Sequence, residues 1–267
     1  MGRLMKYDLR AAMKLFVPLW IGTLILSLIN SFTIYPQSDV ENKLADFFIS
    51  LMMIAYVLAV IAIVIVTVIY VVMRFYQSMM KDEAYLTFTL PVGIDAILWA
   101  KAIVGLILLA ISAVVCVLSL LILSYPIGYA ADLPMLFSRL MERITVGNLL
   151  MVILAMVLAA ITTCMSGIFH GYLSMGFGQL AKKRKLGASV LAYVVISTVT
   201  SAFAGVVIMP LFVKLMENMG QTSVLLMFNG AKGVWLIFLL ISLYNLIFTA
   251  VYYFPTRYIF KNKLNLE

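Results

Sequence analysis

The sequence predicts an all-α, polytopic membrane protein with six transmembrane helices. Of its 267 residues, 65% are hydrophobic and only 11% are charged, whereas a soluble domain carries about 25% charged residues. The apolar residues are gathered in runs that reach the roughly 20 residues a helix needs to cross a bilayer. Because backbone groups in lipid must bond within their own segment, and because the alternation typical of barrel strands is missing from the sequence, these runs are predicted to be helices.

Six apolar runs define the predicted spans. They cover residues 15–35, 47–73, 96–124, 147–171, 188–212 and 233–255. The first ten residues are polar and basic, and the run after them is long enough to span, so no cleavable signal peptide is expected. The sequence has no repeat and no linker between its halves, which predicts a single transmembrane domain over residues 1–267.

The distribution of the 19 basic residues predicts which loops face the cytoplasm. The N-terminus, the loop at 74–95 together with Lys101, the loop at 180–187 and the C-terminus hold 14 of them. Since short loops rich in Lys and Arg stay in the cytoplasm, both termini are expected there. The net charge of +8 is then a topology signal rather than a sign of nucleic-acid binding. The basic run at 182–185 is also expected to contact anionic lipid headgroups.

Two segments at the ends of predicted spans have patterns of their own. Residues 1–16 place apolar side chains near one helical face and basic side chains mostly off it, which predicts a helix in the membrane interface leading into the first span. The apolar positions are Leu4, Met5, Leu9, Met13 and Leu15. The fourth span is rich in Gly, Ser, Thr and Met and continues past residue 171. Small residues let helices approach closely, so this span is expected to pack centrally and to project into the cytoplasm.

The outer loops contain stretches that are neither spans nor simple loops. Residues 135–145 form a short amphipathic stretch, which is expected at the outer surface. Residues 215–232 are too polar to span and too apolar for a free loop, which favours short helices that dip back into the outer leaflet. Cys116 and Cys164 lie inside predicted spans and are expected to be small buried apolar side chains.

Motifs for enzyme chemistry are missing from the sequence. It has no P-loop, HExxH or GxSxG pattern, and GFGQLA at 176–181 follows a membrane helix rather than a strand. We therefore expect no catalytic, metal or cofactor site in this chain. His170, the one histidine, is expected to pack at a helix contact, and a proton-relay role is the alternative.

The central parts of the six predicted spans contain no Asp, Glu, Lys or Arg. Ion-coupled carriers usually place ionisable groups there, so a transport role would need another source of energy. Uncharged polar residues do occur in the spans, and hydrogen bonding between helices is their first interpretation. A substrate path is the functional alternative, and its candidate residues are Asn30, Ser197, Thr200, Ser201 and Asn245.

A short polar segment, MMKDEAYLTFTLPV at residues 79–92, interrupts the apolar sequence on the cytoplasmic side. Helices usually end before the residue that precedes a proline, so Pro91 limits a helix here to about two turns. Such a helix would place Tyr85, Leu86 and Phe88 beside acidic residues. This is typical of a docking surface, but also of a helix that lies on lipid, and spacing alone does not decide between them.

The wider segment 74–103 resembles the signature region of permease subunits of ABC exporters from Gram-positive bacteria. Ala84 stands where that family usually has glycine, which favours a regular helix here. The six spans, the cytoplasmic termini and the N-terminal interfacial helix are similar to the type-2 ABC exporter fold. The residues that match the family pattern are Asp82, Glu83, Tyr85, Leu86, Thr87, Thr89, Leu90, Pro91 and Lys101.

This resemblance implies a function and a set of partners. Residues 79–91 would form the coupling helix, which docks in a cleft of a separate ATP-binding subunit that holds ATP and Mg²⁺. Residues 215–232 would form re-entrant outer helices. A second permease chain, identical or homologous, would complete a bacterial cell-membrane exporter of an amphipathic peptide or lipid-like compound. The implied ATPase contacts are Lys81, Asp82, Glu83, Tyr85, Leu86, Thr87 and Phe88.

Two other function classes remain as alternatives. A non-transporting membrane scaffold or sensor partner would share the topology and need no ATPase. An ion-coupled carrier is disfavoured by the uncharged spans.

Overall fold

The computed structural model describes residues 2–34, 43–80, 93–124, 146–181, 184–210, 213–214 and 231–262. Six long helices account for almost all of these residues. They are α1 (Gly2–Ile34), α2 (Lys43–Met80), α3 (Ile94–Ser124), α4 (Val146–Gln179), α5 (Lys185–Phe203) and α6 (Ala231–Asn262). A π-helical turn, Ala204–Ile208, continues α5. The stretches at 81–92, 135–145 and 215–230, for which short helices were predicted, lie outside the described residues.

All six helices are long and apolar enough to cross a membrane, so the predicted multi-pass helical architecture is confirmed. Several helices run further than the predicted spans. α2 ends at residue 80 rather than 73, α4 at 179 rather than 171, and α6 at 262 rather than 255. With 34 residues, α4 is about 51 Å long, which exceeds the roughly 30 Å hydrocarbon core. The predicted extension of the fourth span is therefore present.

The helices form two compact units, each with its own packing. The first contains α1, α2 up to Val71 and α3 from Ile103 onwards. The second contains the remaining ends of α2 and α3 together with α4, α5 and α6. The predicted single domain is not tested by this division, since α2 and α3 are continuous helices that contribute to both units.

The first unit is built around a cluster of aliphatic and aromatic side chains from its three helices. Phe16 on α1 is fully buried and contacts the ring of Trp20 at 5.6 Å and that of Tyr70 on α2 at 5.2 Å between centroids. The buried members of the cluster are Ala12, Phe16, Trp20, Ile63, Val104, Leu108 and Val115.

Hydrogen bonds between hydroxyl and indole groups cross the interior of the first unit. The Trp20 indole N–H donates to Ser112 Oγ at 3.1 Å, and Ser112 Oγ lies 3.0 Å from Thr67 Oγ1. Further along, the Tyr56 and Ser119 hydroxyls are 3.0 Å apart. These bonds satisfy polar groups that would otherwise be unpaired in an apolar environment, and they join all three helices.

The predicted interfacial segment at the N-terminus forms the first turns of α1, which is continuous from Gly2 to Ile34. Met5 and Leu9 pack against the cluster of the first unit, whereas Met13 and Leu15 are about half exposed. The apolar residues of this segment therefore divide between the packing of α1 and an exposed surface.

In the second unit α4 packs along both α5 and α6, as the central position predicted for the fourth span requires. α4 and α5 approach closely at their connection. A side-chain carbon at Gly178 would overlap Ser189 Oγ and would lie 2.8 Å from the Lys185 carbonyl oxygen. Arg184, just before α5, has the left-handed backbone conformation (φ 56°, ψ 50°) that lets the chain reverse between the two helices.

Candidate functional site

The predicted docking segment, residues 81–92, lies outside the described residues, but both helix ends that carry it are described. α2 ends at Met80, and α3 starts at Ile94 after Gly93. The Gly93 carbonyl accepts hydrogen bonds from the backbone N–H groups of Ala96 (3.0 Å) and Ile97 (3.3 Å), which closes the first turn of α3. Both ends belong to the second unit, together with α4, α5 and α6.

The end of α2 is held by aromatic contacts. The Phe75 ring stacks on Tyr172 of α4, with centroids 3.6 Å apart and planes at 11°. It also meets Phe260 of α6 edge-on at 5.5 Å. Phe75, Tyr172, Phe260 and Met79 are all almost completely buried. The last turns of α2 are therefore packed against α4 and α6.

The start of α3 is held in the same way. The Trp99 ring lies 5.2 Å from Phe169 of α4 and 5.8 Å from Tyr253 of α6. Phe169 and Tyr253 in turn meet edge-on at 5.5 Å. Ile97 and Leu98 are fully buried beside them. Both ends of the segment are thus attached to α4 and α6.

We call the six rings Phe75, Trp99, Phe169, Tyr172, Tyr253 and Phe260 the aromatic cluster. It is continuous, because Phe169 and Tyr172 on α4 also meet edge-on at 5.8 Å and so connect the α2 contacts to the α3 contacts. Each such pair contributes about 0.5–1.5 kcal/mol beyond the area it buries. The end of α2 and the start of α3 are therefore joined to α4 and α6 through closely packed rings.

A polar contact lies beside the aromatic cluster, in the first turn of α3. Asp95 Oδ1 accepts a hydrogen bond from the Tyr253 hydroxyl at 2.6 Å and forms an ion pair with Arg257 Nε at 2.8 Å. Asp95 and Arg257 are each 43% exposed. The contact is therefore accessible to water, and it joins α3 to the C-terminal part of α6.

Asn30, a predicted substrate-path residue, is buried inside the first unit. Its Nδ2 donates to the carbonyl oxygen of Leu26 at 2.9 Å and to that of Met52 on α2 at 3.2 Å. Its Oδ1 is buried and has no hydrogen-bond partner among the residues that the structure describes. The side chain is fully buried and ties α1 to α2, so hydrogen bonding between helices accounts for it better than a path does.

The other four path residues belong to the second unit, where Ser197, Thr200 and Ser201 lie on α5 and Asn245 lies on α6. Asn245 Nδ2 on α6 donates to Thr163 Oγ1 on α4 at 2.9 Å. The Thr200 hydroxyl donates to the Ile196 and Ser197 carbonyl oxygens of its own helix. Ser201 is exposed, three residues before the π-helical turn that continues α5.

His170 lies between two tyrosine rings, as expected for a histidine at a helix contact. Its imidazole stacks on Tyr193 of α5 at 4.4 Å and on Tyr252 of α6 at 5.1 Å, with interplanar angles of 17° and 23°. His170 Nε2 is buried, and within the described part of the chain it has no hydrogen-bond partner. Lys101, the lysine of the family pattern, lies buried in α3. Among the residues that the structure describes, no cluster of His, Cys, Asp and Glu could hold a metal ion.

Sequence reasoning missed Asp95, Tyr253 and Arg257 as functional candidates. Arg257 was counted only as one of the basic residues that set the topology. The one signal available was the position of Asp95 just after Pro91 and Gly93, where an acidic side chain favours a helix start.

The chain matches no protein-family model, no curated protein and no solved structure.

Proposed function

We propose that this chain is the membrane-spanning permease subunit of an ATP-driven ABC exporter in a bacterial cell membrane. The chain itself has no catalytic role. A separate ATP-binding subunit holds ATP and Mg²⁺, docks on residues 81–88, and supplies the energy that the uncharged spans give no means of obtaining from an ion gradient. A second permease chain, the same or homologous, completes the transporter, and both termini lie in the cytoplasm.

The observation that carries the proposal is how the docking segment is attached. Residues 81–92 carry the pattern that resembles the ABC permease signature, and the helix ends on either side meet α4 and α6 in the aromatic cluster. A helix that only rested on lipid would need no such rigid attachment. A helix that passes motion from an ATPase to the membrane needs it at both ends.

The same arrangement suggests how the exporter works. ATP-driven closure of the partner subunits moves the docking helix, and the aromatic cluster passes that movement to α4 and α6. Substrates are amphipathic, peptide or lipid-like, because a path between these helices is weakly polar and uncharged. In this proposal the first turns of α1 lie along the inner membrane interface.

Co-purification with a candidate ATP-binding subunit tests the proposal. Glu83→Ala and Tyr85→Ala are expected to reduce both complex formation and the stimulation of ATP hydrolysis by this chain. Glu142→Ala and Tyr129→Ala are matched controls, since both residues lie in a predicted outer loop and are expected to leave the complex intact. Retention of the complex and of full stimulation in Glu83→Ala and Tyr85→Ala would contradict docking at this segment, and would favour the scaffold or sensor alternative.

A further inference from the structure

Residues 81–92 are attached at both ends to the same short part of α6. On the α2 side, Phe75 meets Phe260. On the α3 side, Asp95 meets Tyr253 and Arg257. All three α6 residues lie within its last three turns. Whatever moves the two helix ends therefore acts on the cytoplasmic end of α6.

The two attachments differ in chemistry. The Phe75 contact is buried and made of rings, so it stabilises the fold as well as joining the helices. The Asp95 contact is half exposed, and exposed ion pairs add little to stability. Its geometry is nevertheless specific. Tyr253 and Arg257 are four residues apart, on one face of α6, and both donate to the same oxygen of Asp95.

α6 has a proline between those two donors. Pro255 has no backbone N–H, so the bond that would reach the Val251 carbonyl is missing and the helix is weakened there. Tyr253 precedes this point and Arg257 follows it. The Asp95 carboxylate on α3 thus contacts α6 on both sides of Pro255, where the backbone hydrogen bonds of α6 are interrupted.

We propose that Asp95, Tyr253 and Arg257 form a latch that makes the cytoplasmic end of α6 move together with the start of α3. The three are positioning residues: they pass on the movement of residues 81–92 and do not contact the ATPase. The proposal rests on the proposed function, because it assigns a transmission route to that docking segment. Releasing the latch leaves docking intact but lets the start of α3 move apart from the cytoplasmic end of α6.

A competing explanation is that Asp95 only stabilises the start of its own helix. Asp95 lies in the first turn of α3, where a negative charge is favourable at the helix N-terminus whatever α6 does. Exchanging the charges separates the two explanations. Asp95→Arg with Arg257→Asp restores the pair but places a positive charge at the start of α3, so the latch predicts recovery and the local explanation predicts a further loss.

The test uses the full chain in complex with its ATP-binding subunit in lipid nanodiscs. Spin labels are placed on Gly93→Cys and Lys261→Cys, both at exposed positions on the two sides of the latch, in a Cys116→Ala, Cys164→Ala background. The distance between labels is measured with and without ATP, and the rate of ATP hydrolysis is recorded in parallel. Tyr253→Phe is included because it keeps the ring in the aromatic cluster and removes only the hydroxyl.

In the parent chain, where the latch is intact, the distance between labels is expected to be the same with and without ATP. In Asp95→Asn and Arg257→Gln it changes on adding ATP, co-purification is retained, and the stimulation of ATP hydrolysis falls about fivefold or more. Tyr253→Phe shows a smaller effect of the same kind, and the charge exchange restores the behaviour of the parent chain.

Three results would overturn the latch. One is a distance that responds to ATP identically in the parent chain and in Asp95→Asn. The second is a distance that stays constant in both. The third is a charge-exchanged chain that couples worse than either single variant. Each of these leaves the proposed function standing, whereas a parent chain that forms no complex with the ATPase overturns both proposals.

Discussion

The two units hold their helices together by different means. In the first, buried hydroxyl and indole groups bond across the interior, as Trp20, Ser112 and Thr67 do. In the second, aromatic rings stack, and an ion pair between Asp95 and Arg257 lies at the end next to residues 81–92. The described side-chain hydrogen bonds of the first unit, such as those of Trp20 and Tyr56, therefore run between its own helices. Under the proposed function, the second unit is the one that receives the movement of residues 81–92.

Replacing a buried phenylalanine in each unit should have the largest effect and separate packing from coupling. Phe16 and Phe75 are both fully buried, so Phe16→Ala and Phe75→Ala are each expected to lower the free energy of unfolding by about 3–5 kcal/mol. SDS titration in mixed micelles measures this loss.

The milder Phe16→Leu and Phe75→Leu keep the chain folded for functional assays. Only Phe75→Leu is expected to reduce the stimulation of ATP hydrolysis, since Phe75 belongs to the attachment of the docking segment. An equal reduction in Phe16→Leu would show that the two units do not differ in this respect.

A pair of glycines on α4 tests how closely the second unit is packed. Gly178→Ala is expected to lower the free energy of unfolding by about 1–3 kcal/mol, because the added carbon would overlap Ser189 and crowd the Lys185 carbonyl. Gly176→Ala is the control, because its added carbon would meet Ile259 and Phe260 at an ordinary 3.5 Å. Thermal unfolding in detergent compares them, and equal melting temperatures would contradict the close α4–α5 approach.

A double-mutant cycle measures the hydrogen bonding of the first unit. Trp20→Phe and Ser112→Ala each remove one partner of the indole–hydroxyl bond, and their coupling energy is expected to be about 0.6 kcal/mol. Thr198→Val serves as the control, because that exposed hydroxyl donates to the Val194 carbonyl of its own helix. A coupling energy of zero between Trp20 and Ser112 would mean that packing alone holds the three helices of this unit.

The smallest effect is expected at the turn between α4 and α5. Arg184 adopts a left-handed conformation, which costs a residue with a side chain about 1–2 kcal/mol. Arg184→Gly removes that cost but adds flexibility to the unfolded chain, so the net gain in the free energy of unfolding is expected to be about 0.5 kcal/mol. Lys185→Gly, one residue later inside α5, is expected to destabilise the protein instead. A loss of stability in Arg184→Gly would contradict the conformation assigned to this turn.

Hydropathy predicted the six helices well because lipid contact requires long apolar runs whatever their neighbours are. It placed the C-terminal ends of α2, α4 and α6 several residues too early. Tyr76, Gln77 and Ser78 lower the hydropathy at the end of α2, yet this part stays helical since Phe75 and Met79 are buried among other side chains. Packing between distant segments decides such ends, and a hydropathy window along one segment does not detect it.

Side-chain roles were harder to predict than helices. Asn30 has the uncharged polar side chain expected along a substrate path, but its amide donates to the Met52 carbonyl oxygen inside the first unit. Asp95 and Arg257 are far apart in the sequence, and no spacing rule connects a residue at the start of one helix to a residue near the end of another. Their contact depends on how α3 and α6 pack, which emerges only from the three-dimensional structure.

Photo-crosslinking from Leu86 tests the central claim most directly, namely that residues 81–88 dock on an ATP-binding subunit. A photoreactive benzoyl-phenylalanine is placed at this position in cells that express both chains, and the crosslinked products are identified by mass spectrometry. We expect a crosslink to the P-loop ATPase that is absent when the same group replaces Tyr129. Crosslinks to lipid alone from position 86, with the ATPase present in the same membranes, would contradict the claim.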